Sequence, residues 1–444
     1  MLPVGAAITR VLAAAVNAVN PFHLIPRVVN YHSNTLTVCN HTFFLPPEGN
    51  VYVIGAGKAS GAMACALCAV LGDRIHAGLI ITKDGYLPPD NHLFAYNVSI
   101  HAASHPLPDE RGVQASQEMI ALVENLSSKD TVILLLSGGG SAMLTQPAGG
   151  ITLGEIRQVT DHLLKAGATI SELNSVRKRL DLLKGGGLAR IIYPARLIVL
   201  IISDVLEDRL DVIASGPGYS NPTGTEDVEE IAAKYHPPVH LGNLRNRVSA
   251  QDVTMGLQKY VGEAEVFKNV HHFILGNINT AALAAKQQAI SEGFDTYLLS
   301  TSLAGEARFR GQQLAKLAHT YSSPSNKFTR PRCIILGGET TVTVTGSGIG
   351  GRNQEMALAT VKYLSDFPDA IFISLATDGG DGPTDAAGAV STGTTYRRAI
   401  AHQMDPNKYL QENDAYSFFA TLGDLINPGP TLTNVNDIQL LVLL

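Results

Sequence analysis

Val51-Tyr-Val-Ile54, followed at once by Gly55-Ala-Gly-Lys-Ala-Ser60 and the apolar run 61–71, reads as strand, glycine turn and helix. Four apolar residues ending at glycine suit a buried strand, and the run behind the turn is too long for a second one. Further apolar runs of strand length follow at 77–82, 131–136 and 197–202, each ending at a Gly, Ser, Lys or Asp. Helix-like stretches at 112–126 and 154–165 lie between them. Strands alternating with helices predict a mostly parallel sheet covered on both faces. Ligands of such sheets bind beyond the carboxyl ends of the strands, where these punctuating residues fall.

The second half has a different rhythm. Residues 272–275 read as a strand leading into a helix at 279–293, and 334–336 as a strand leading into a turn at Gly337-Gly338. Thr340-Thr-Val-Thr-Val-Thr345 alternates with period two, as a half-buried strand does. A loop at 346–351, a helix at 354–364 and a buried strand at 371–375 follow. At 444 residues the chain exceeds what one core usually organises. Residues 221–247, with Pro222, Pro237 and Pro238, read as the passage between two domains. The expected division is 1–245, a Rossmann-like doubly wound parallel sheet, and 246–444, a second α/β domain. No internal repeat interrupts this.

Hydrophobic residues make up 45% and charged residues 16%, which fits a globular chain and excludes a disordered one. A formal charge of −6 argues against a nucleic-acid binder. The four cysteines do not form a disulfide framework in a chain this long. Cys65 and Cys68 form a CxxC pair inside an apolar run, with no second pair to complete a metal site, and read as part of a core helix. No apolar run reaches transmembrane length. Residues 1–20, with Arg10 in their middle, read as an amphipathic helix and not as a signal segment, so the expected compartment is the cytoplasm.

Several motifs can carry chemistry. Gly55, Gly57 and Lys58 sit at a strand end, where backbone N–H groups and a fixed cation suit an anion; a structural tight turn is the plainer reading. The motif is neither a Walker A loop nor a full GxGxxG. Ser137-Gly138-Gly139-Gly140-Ser141 offers several N–H donors and two hydroxyls, suited to phosphate, to a flexible turn, or to a nucleophilic serine at Ser141. Arg177, Lys178, Arg179 and Lys184 put four cations beside Gly185-Gly-Gly187, either as a solvated face or as a guide for a polyphosphate. Asp204 ends one strand; Asp378, Asp381 and Asp385 follow another in a Gly/Pro-rich loop. Strand-end carboxylates hold Mg²⁺, accept a proton from a hydroxyl, or simply make Asx turns. Gly337-Gly-Glu339-Thr-Thr341 precedes Arg352, which follows a glycine run and is placed to bind carboxylate or phosphate bidentately. The histidines show no zinc spacing and read as structural, His105 included. Glycine anion loops, fixed cations and strand-end aspartates, without a nucleophile–histidine signature, are what phosphoryl transfer needs.

These motifs, in this order, resemble one family. GAGKAS, SGGGSA, NSVRKRLDLLKGGGLA, ISDV, GGETTVTVTGSGIGGRNQEMAL, ATDGGDGPTDAAGA and the terminal TNVND are similar to class II glycerate 2-kinases, which carry a MOFRL domain at the C-terminus. The resemblance implies two α/β domains with the active site in the cleft between them. It implies ATP and Mg²⁺ or another divalent cation as cosubstrates, and D-glycerate as acceptor. It places the catalytic lysine and arginine on Lys58 and Arg352, and suggests that residues 1–45 pack on the second domain. On that basis Gly55, Gly57, 137–141 and Lys184 are expected to bind ATP phosphates. Arg352, Glu339 and Asn353 are expected at the substrate. Asp204 and Asp378 are expected to hold metal or take the hydroxyl proton. The expected partners are small molecules, not nucleic acid or membrane, with a homodimer allowed.

Three departures from the family pattern stand out: Ile349 where a basic or polar residue is common, an extra Gly187 that predicts a mobile loop, and Leu432 in place of a glycine. Competing readings are an NAD(P)H-dependent hydroxypyruvate reductase, an inactive nucleotide or sugar-acid binding protein, and a serine hydrolase on Ser141.

Overall fold

The computed structural model describes residues 4–88, 92–220, 225–237, 262–322 and 331–444. The chain divides into two compact units, Pro21–Leu275 and a discontinuous one made of Met1–Asn20 and Gly276–Leu444. The boundary expected near residue 245 lies outside the described residues. Within the expected passage, Thr225–Tyr235 is a helix.

After the helix Pro21–Val28 the first unit forms a small antiparallel sheet of β1 (Val29–His32), β2 (Thr35–Val38) and β3 (His41–Phe44). Its main sheet contains β4 (Val51–Ala56), β5 (Ile75–Lys83), β6 (Val98–Ala103), β7 (Thr131–Leu136), β8 (Arg196–Ile202) and β9 (Val270–Gly276). The spatial order is β6-β5-β4-β7-β8-β9, so the chain builds outward from β4 in one direction and then returns beside it to build in the other. The pairings among the first five strands are all parallel. Every residue of β4 and β7 is buried, as expected of strands covered on both faces. The strand at 272–275, expected to open the second domain, is thus part of the first sheet's edge. Phe43 packs its ring against His271 and Phe273 there, at 4.9 and 6.0 Å between centroids.

The helix Ser60–Leu71 carries the CxxC pair; neither cysteine is in a disulfide, and burial pushes the Cys68 thiol up to about 12. A separate apolar cluster joins the helices Leu153–Lys165, Ile170–Leu180 and Thr225–Tyr235 through Val159, Leu163, Leu173, Val176 and Ile231. Two of them start in capping boxes, Thr152 with Glu155 and Thr169 with Glu172, each satisfying N–H groups that the first turn leaves unpaired.

In the second unit β10 (Asp295–Glu306), β11 (Arg332–Thr341), β12 (Ala370–Ala376), β13 (Gly388–Thr392), β14 (Leu425–Ile426) and β15 (Asp437–Leu443) form a sheet of order β10-β11-β15-β12-β13-β14. β15, the last strand of the chain, runs antiparallel between β11 and β12. The helix Val4–Ala18 belongs here: Arg10 grips both oxygens of Glu292 at 2.7 and 2.6 Å, and Thr433 donates to the Val19 carbonyl.

Two local expectations change. Gly337-Gly338 does not turn but continues β11 to Thr341, and no strand covers 342–345. The cause is β10: a Cβ on Gly338, at φ 150°, would lie 2.2 Å from the Leu303 carbonyl oxygen, so the glycine serves close strand approach. The run at Gly185–Gly187, expected to be mobile, is tied down. Gly185 and Gly186 donate to the carbonyls of Ser215 and Gly216, and a Cβ on Gly187 would lie 1.8 Å from the Leu182 oxygen.

Candidate functional site

In the first unit the strand order reverses between β4 and β7, whose ends are in register at Ala56 and Leu136. Such a reversal opens a crevice at the carboxyl edge. Ala56 closes β4 and Ser137 follows β7, so the two glycine loops leave the sheet side by side. They are tied by the Lys58 N–H donating to the Gly138 carbonyl and the Ala59 N–H donating to Ser137 Oγ, both at 2.9 Å. Gly57 sits at φ 138°, and a Cβ there would lie 2.2 Å from Ser137 Oγ, so only glycine fits. Ser137 is therefore a buried clasp between loops. Lys58 is partly exposed, its ammonium 5.9 Å from the centre of the Tyr86 ring.

Beyond Gly139 (φ 85°) and Gly140, Ser141 shares a 2.9 Å hydrogen bond with Ser215, whose hydroxyl donates to Asn174 at 3.0 Å. Ala214 and Ser215 both hold left-handed backbone, at φ 49° and 60°, which turns the Ser215 hydroxyl toward the glycine loop's serine. Asp204, just past β8, stands partly exposed on the same carboxyl edge. Lys184 is placed differently from the expectation. Its ammonium is buried against Asp181, the Leu144 carbonyl and Thr145 Oγ1, and its side chain is 3% exposed. Burial lowers the lysine and raises the aspartate, while their attraction opposes both shifts.

The second unit has its own constellation. Arg352 binds Asp437 through two bonds, Nε to Oδ2 at 2.6 Å and Nη2 to Oδ1 at 3.0 Å, while Nη1 donates to Glu339 at 2.6 Å. The sheet explains the meeting. Asp437 begins β15, opposite Gly338 of β11 and Ala376 of β12, so Glu339, Asp437 and Asp378 stand at one edge. Burial would lower the arginine's pKa, but the two carboxylates outweigh it and hold the charge firmly. Its side chain stays 31% exposed, and that of Glu339 44%.

Arg352 also opens the helix Arg352–Leu364, whose start is capped by the buried Asp381. That carboxylate accepts from the Asn353 and Gln354 N–H groups at 3.1 and 2.9 Å. Burial pushes Asp381 up to about 7 despite these bonds, with the Asp437 charge adding to the rise. Asn353, expected at the substrate, is fully buried between Asp381 and Ser374. The loop before Arg352 is pinned by Asn413, which accepts from the Thr345 and Gly346 N–H groups at 2.8 and 2.9 Å. Asp378 is 6% exposed and accepts from the Gly380 N–H at 3.1 Å.

Asp437, Ser215, Asn174 and Asn413 had no place among the expected site residues. Asp437 and Asn174 each had a signal, Asp437 as the last residue of TNVND immediately before an apolar run and Asn174 as the first residue of NSVRKRLDLLKGGGLA. Among the described residues no group of three or more His, Cys, Asp or Glu side chains can hold a metal ion. No single described helix is long and apolar enough to cross a membrane.

The two units define an α/β protein that pairs a doubly wound sheet, with glycine loops at its switch point, and a mixed sheet presenting an arginine between carboxylates. Residues 7–247 match a family described as a domain of unknown function, DUF4147, and residues 332–437 match the MOFRL family. The chain is 39% identical over 390 residues to the D-glycerate 2-kinase of Thermotoga maritima, covering 87% of this chain and 89% of that protein. A crystal structure of glycerate kinase from Thermotoga maritima covers 99% of both chains, with a TM-score of 0.83 and 35% identity. A relative from Agrobacterium vitis, 38% identical over 89% of this chain and 88% of its own length, carries a provisional hydroxypyruvate reductase name. The chain belongs to the MOFRL-domain glycerate 2-kinase family.

Proposed function

We propose that the protein transfers the γ-phosphoryl group of ATP to the 2-hydroxyl of D-glycerate, giving 2-phospho-D-glycerate and ADP. The likeness to D-glycerate 2-kinase over nearly nine-tenths of the chain carries the reading. The glycine loops at the switch point and the fixed cations supply the chemistry it needs. One bond forms between the substrate's 2-oxygen and γ-phosphorus, the bond to the β-bridging oxygen breaks, and the hydroxyl proton goes to a carboxylate.

In this reading the N–H groups at 137–141 and at Gly55 and Gly57 receive ATP phosphates, and Lys58 offsets charge on the transferring group. Arg352, steadied by Asp437, binds the substrate carboxylate or the transferring group, with Glu339 beside it. Asn353 and Lys184 act from within, fixing Asp381 and the turn after Asp181. Asp204 and Asp378 are the carboxylates for the proton and for a divalent cation. Mg²⁺ needs only one or two protein carboxylates besides substrate phosphates, so the lack of a three-ligand cage among the described residues fits it. When bound it neutralises phosphate oxygens. The cytoplasm and a homodimer complete the proposal.

The test is incubation with ATP, Mg²⁺ and D-glycerate, read by coupled enolase and pyruvate kinase. Signal needing all three, and lost by about 10³-fold or more in Lys58→Ala, is expected. The strand order also suits dinucleotides. Oxidation of NAD(P)H by hydroxypyruvate, without phosphoryl transfer, would establish the reductase instead.

A further inference from the structure

The four cations at 177–184 do not form one solvated face. Lys184 is buried on Asp181, and Lys178 lies 3.7 Å from Asp211 with its side chain 3% exposed. The Arg177 side chain makes no hydrogen bond or ion pair among the described residues. Its side chain lines a narrow recess together with Ser141, Thr145, Thr160, Asp181 and Lys184. Thr160 is 1% exposed and its hydroxyl likewise makes no hydrogen bond among the described residues. Two different helices, Leu153–Lys165 and Ile170–Leu180, thus bring a guanidinium and a hydroxyl with unspent donors to one recess.

We propose that this recess is an oxyanion subsite in which Arg177 and Thr160 bind a phosphate group of the nucleotide. Charge favours an anion: Arg177 and Lys184 face a single carboxylate, Asp181, which leaves one net positive charge in the wall (2 − 1). Position favours the nucleotide, because the wall includes Ser141 of the glycine loop. The arginine's helix is registered on that loop through Asn174, three residues before Arg177, which accepts from Ser215 and so reaches Ser141. Burial pulls the Arg177 pKa down to about 10, with Asp181 only partly opposing it, and a bound phosphate supplies the missing counter-charge. A guanidinium fork matches phosphate oxygens bidentately, which an ammonium does not.

This inference rests on the kinase reading, so its test includes a measurement independent of turnover. Inorganic tripolyphosphate is titrated calorimetrically into the wild-type protein and into Arg177→Met, Arg177→Lys and Thr160→Val. Binding weakened about 30-fold or more in Arg177→Met, and about 10-fold in Thr160→Val, is expected. Arg177→Lys, which keeps the charge without the fork, falls between wild type and Arg177→Met and serves should the methionine variant not fold. In the kinase assay the KM for ATP rises by similar factors, while the KM for glycerate stays within about twofold. Variants that melt like wild type and bind tripolyphosphate unchanged overturn the subsite. So does a shift confined to the glycerate KM, which would assign the pocket to the acceptor's carboxylate. Absence of glycerate phosphorylation in wild type would sink the kinase reading alone, since the tripolyphosphate titration still reads the pocket.

Discussion

Arg352 and Asp437 meet through two parallel N–H···O bonds, although 85 residues separate them. The aspartate is fully buried while the arginine keeps part of its surface open. The pair therefore fixes the direction of the guanidinium without using all of its donors. Replacing Asp437 by Asn keeps the shape but weakens the grip. Stability should fall by about 1–3 kcal/mol and kcat/KM for glycerate by roughly tenfold or more. Denaturant melts and kinetics check this; unchanged kcat/KM would mean that Arg352 needs no such anchor.

Ser137 Oγ is the acceptor that ties Ala59 N–H to the neighbouring loop. Ser137→Ala leaves a buried N–H unpaired, at a cost of about 1–3 kcal/mol. Both loops then lose their relative placement, so the KM for ATP should rise while that for glycerate holds. Gly57→Ala should be worse, because its Cβ collides with the same oxygen at 2.2 Å. An alanine at 57 with normal ATP affinity would show that the loops are not clasped in this way.

Asp381 gives a pH signature. Its folded pKa, about 7, lies above that of an unfolded aspartate, so the folded state holds a proton that the unfolded state has lost. Its contribution to stability is present in full at acid pH and declines as pH rises toward and through 7. Asp381→Asn removes this dependence. Between pH 5 and 8 the wild type should lose on the order of 2–3 kcal/mol relative to that variant. A stability difference that stays flat across the range argues against a protonated buried carboxyl.

Leu432, where the family resemblance led to an expected glycine, has its backbone at φ 61°, in the left-handed region. For a leucine that conformation costs about 1–2 kcal/mol, partly offset by the smaller entropy it loses on folding. Leu432→Gly should therefore stabilise by up to about 1 kcal/mol. A lower melting temperature in that variant would show that packing of the leucine outweighs the strain.

Elements with continuous apolar runs were legible from the chain alone. Residues 131–136 are β7 residue for residue, and 154–165, 354–364 and 371–375 fall within the observed helices and strand. The glycine loops were legible too, because their composition follows from backbone approach. β15 was not read as a strand, yet it lies between β11 and β12 and carries Asp437. Gly337-Gly338 looked like a turn because a glycine needed for strand contact has the same composition as one needed for bending.

What the sequence determined by itself is the local grammar: where strands end, which loops can approach an anion, and which motifs mark the family. These depend on side-chain period and on glycine, which act over a few residues. Tertiary structure alone decided how the charges are used. Lys184 and Arg177, seven residues apart in one basic stretch, differ because Asp181 neutralises the first and hydrogen-bonds no part of the second. Charge pairing is set by distances of a few ångströms between segments far apart in the chain, and no local pattern encodes it.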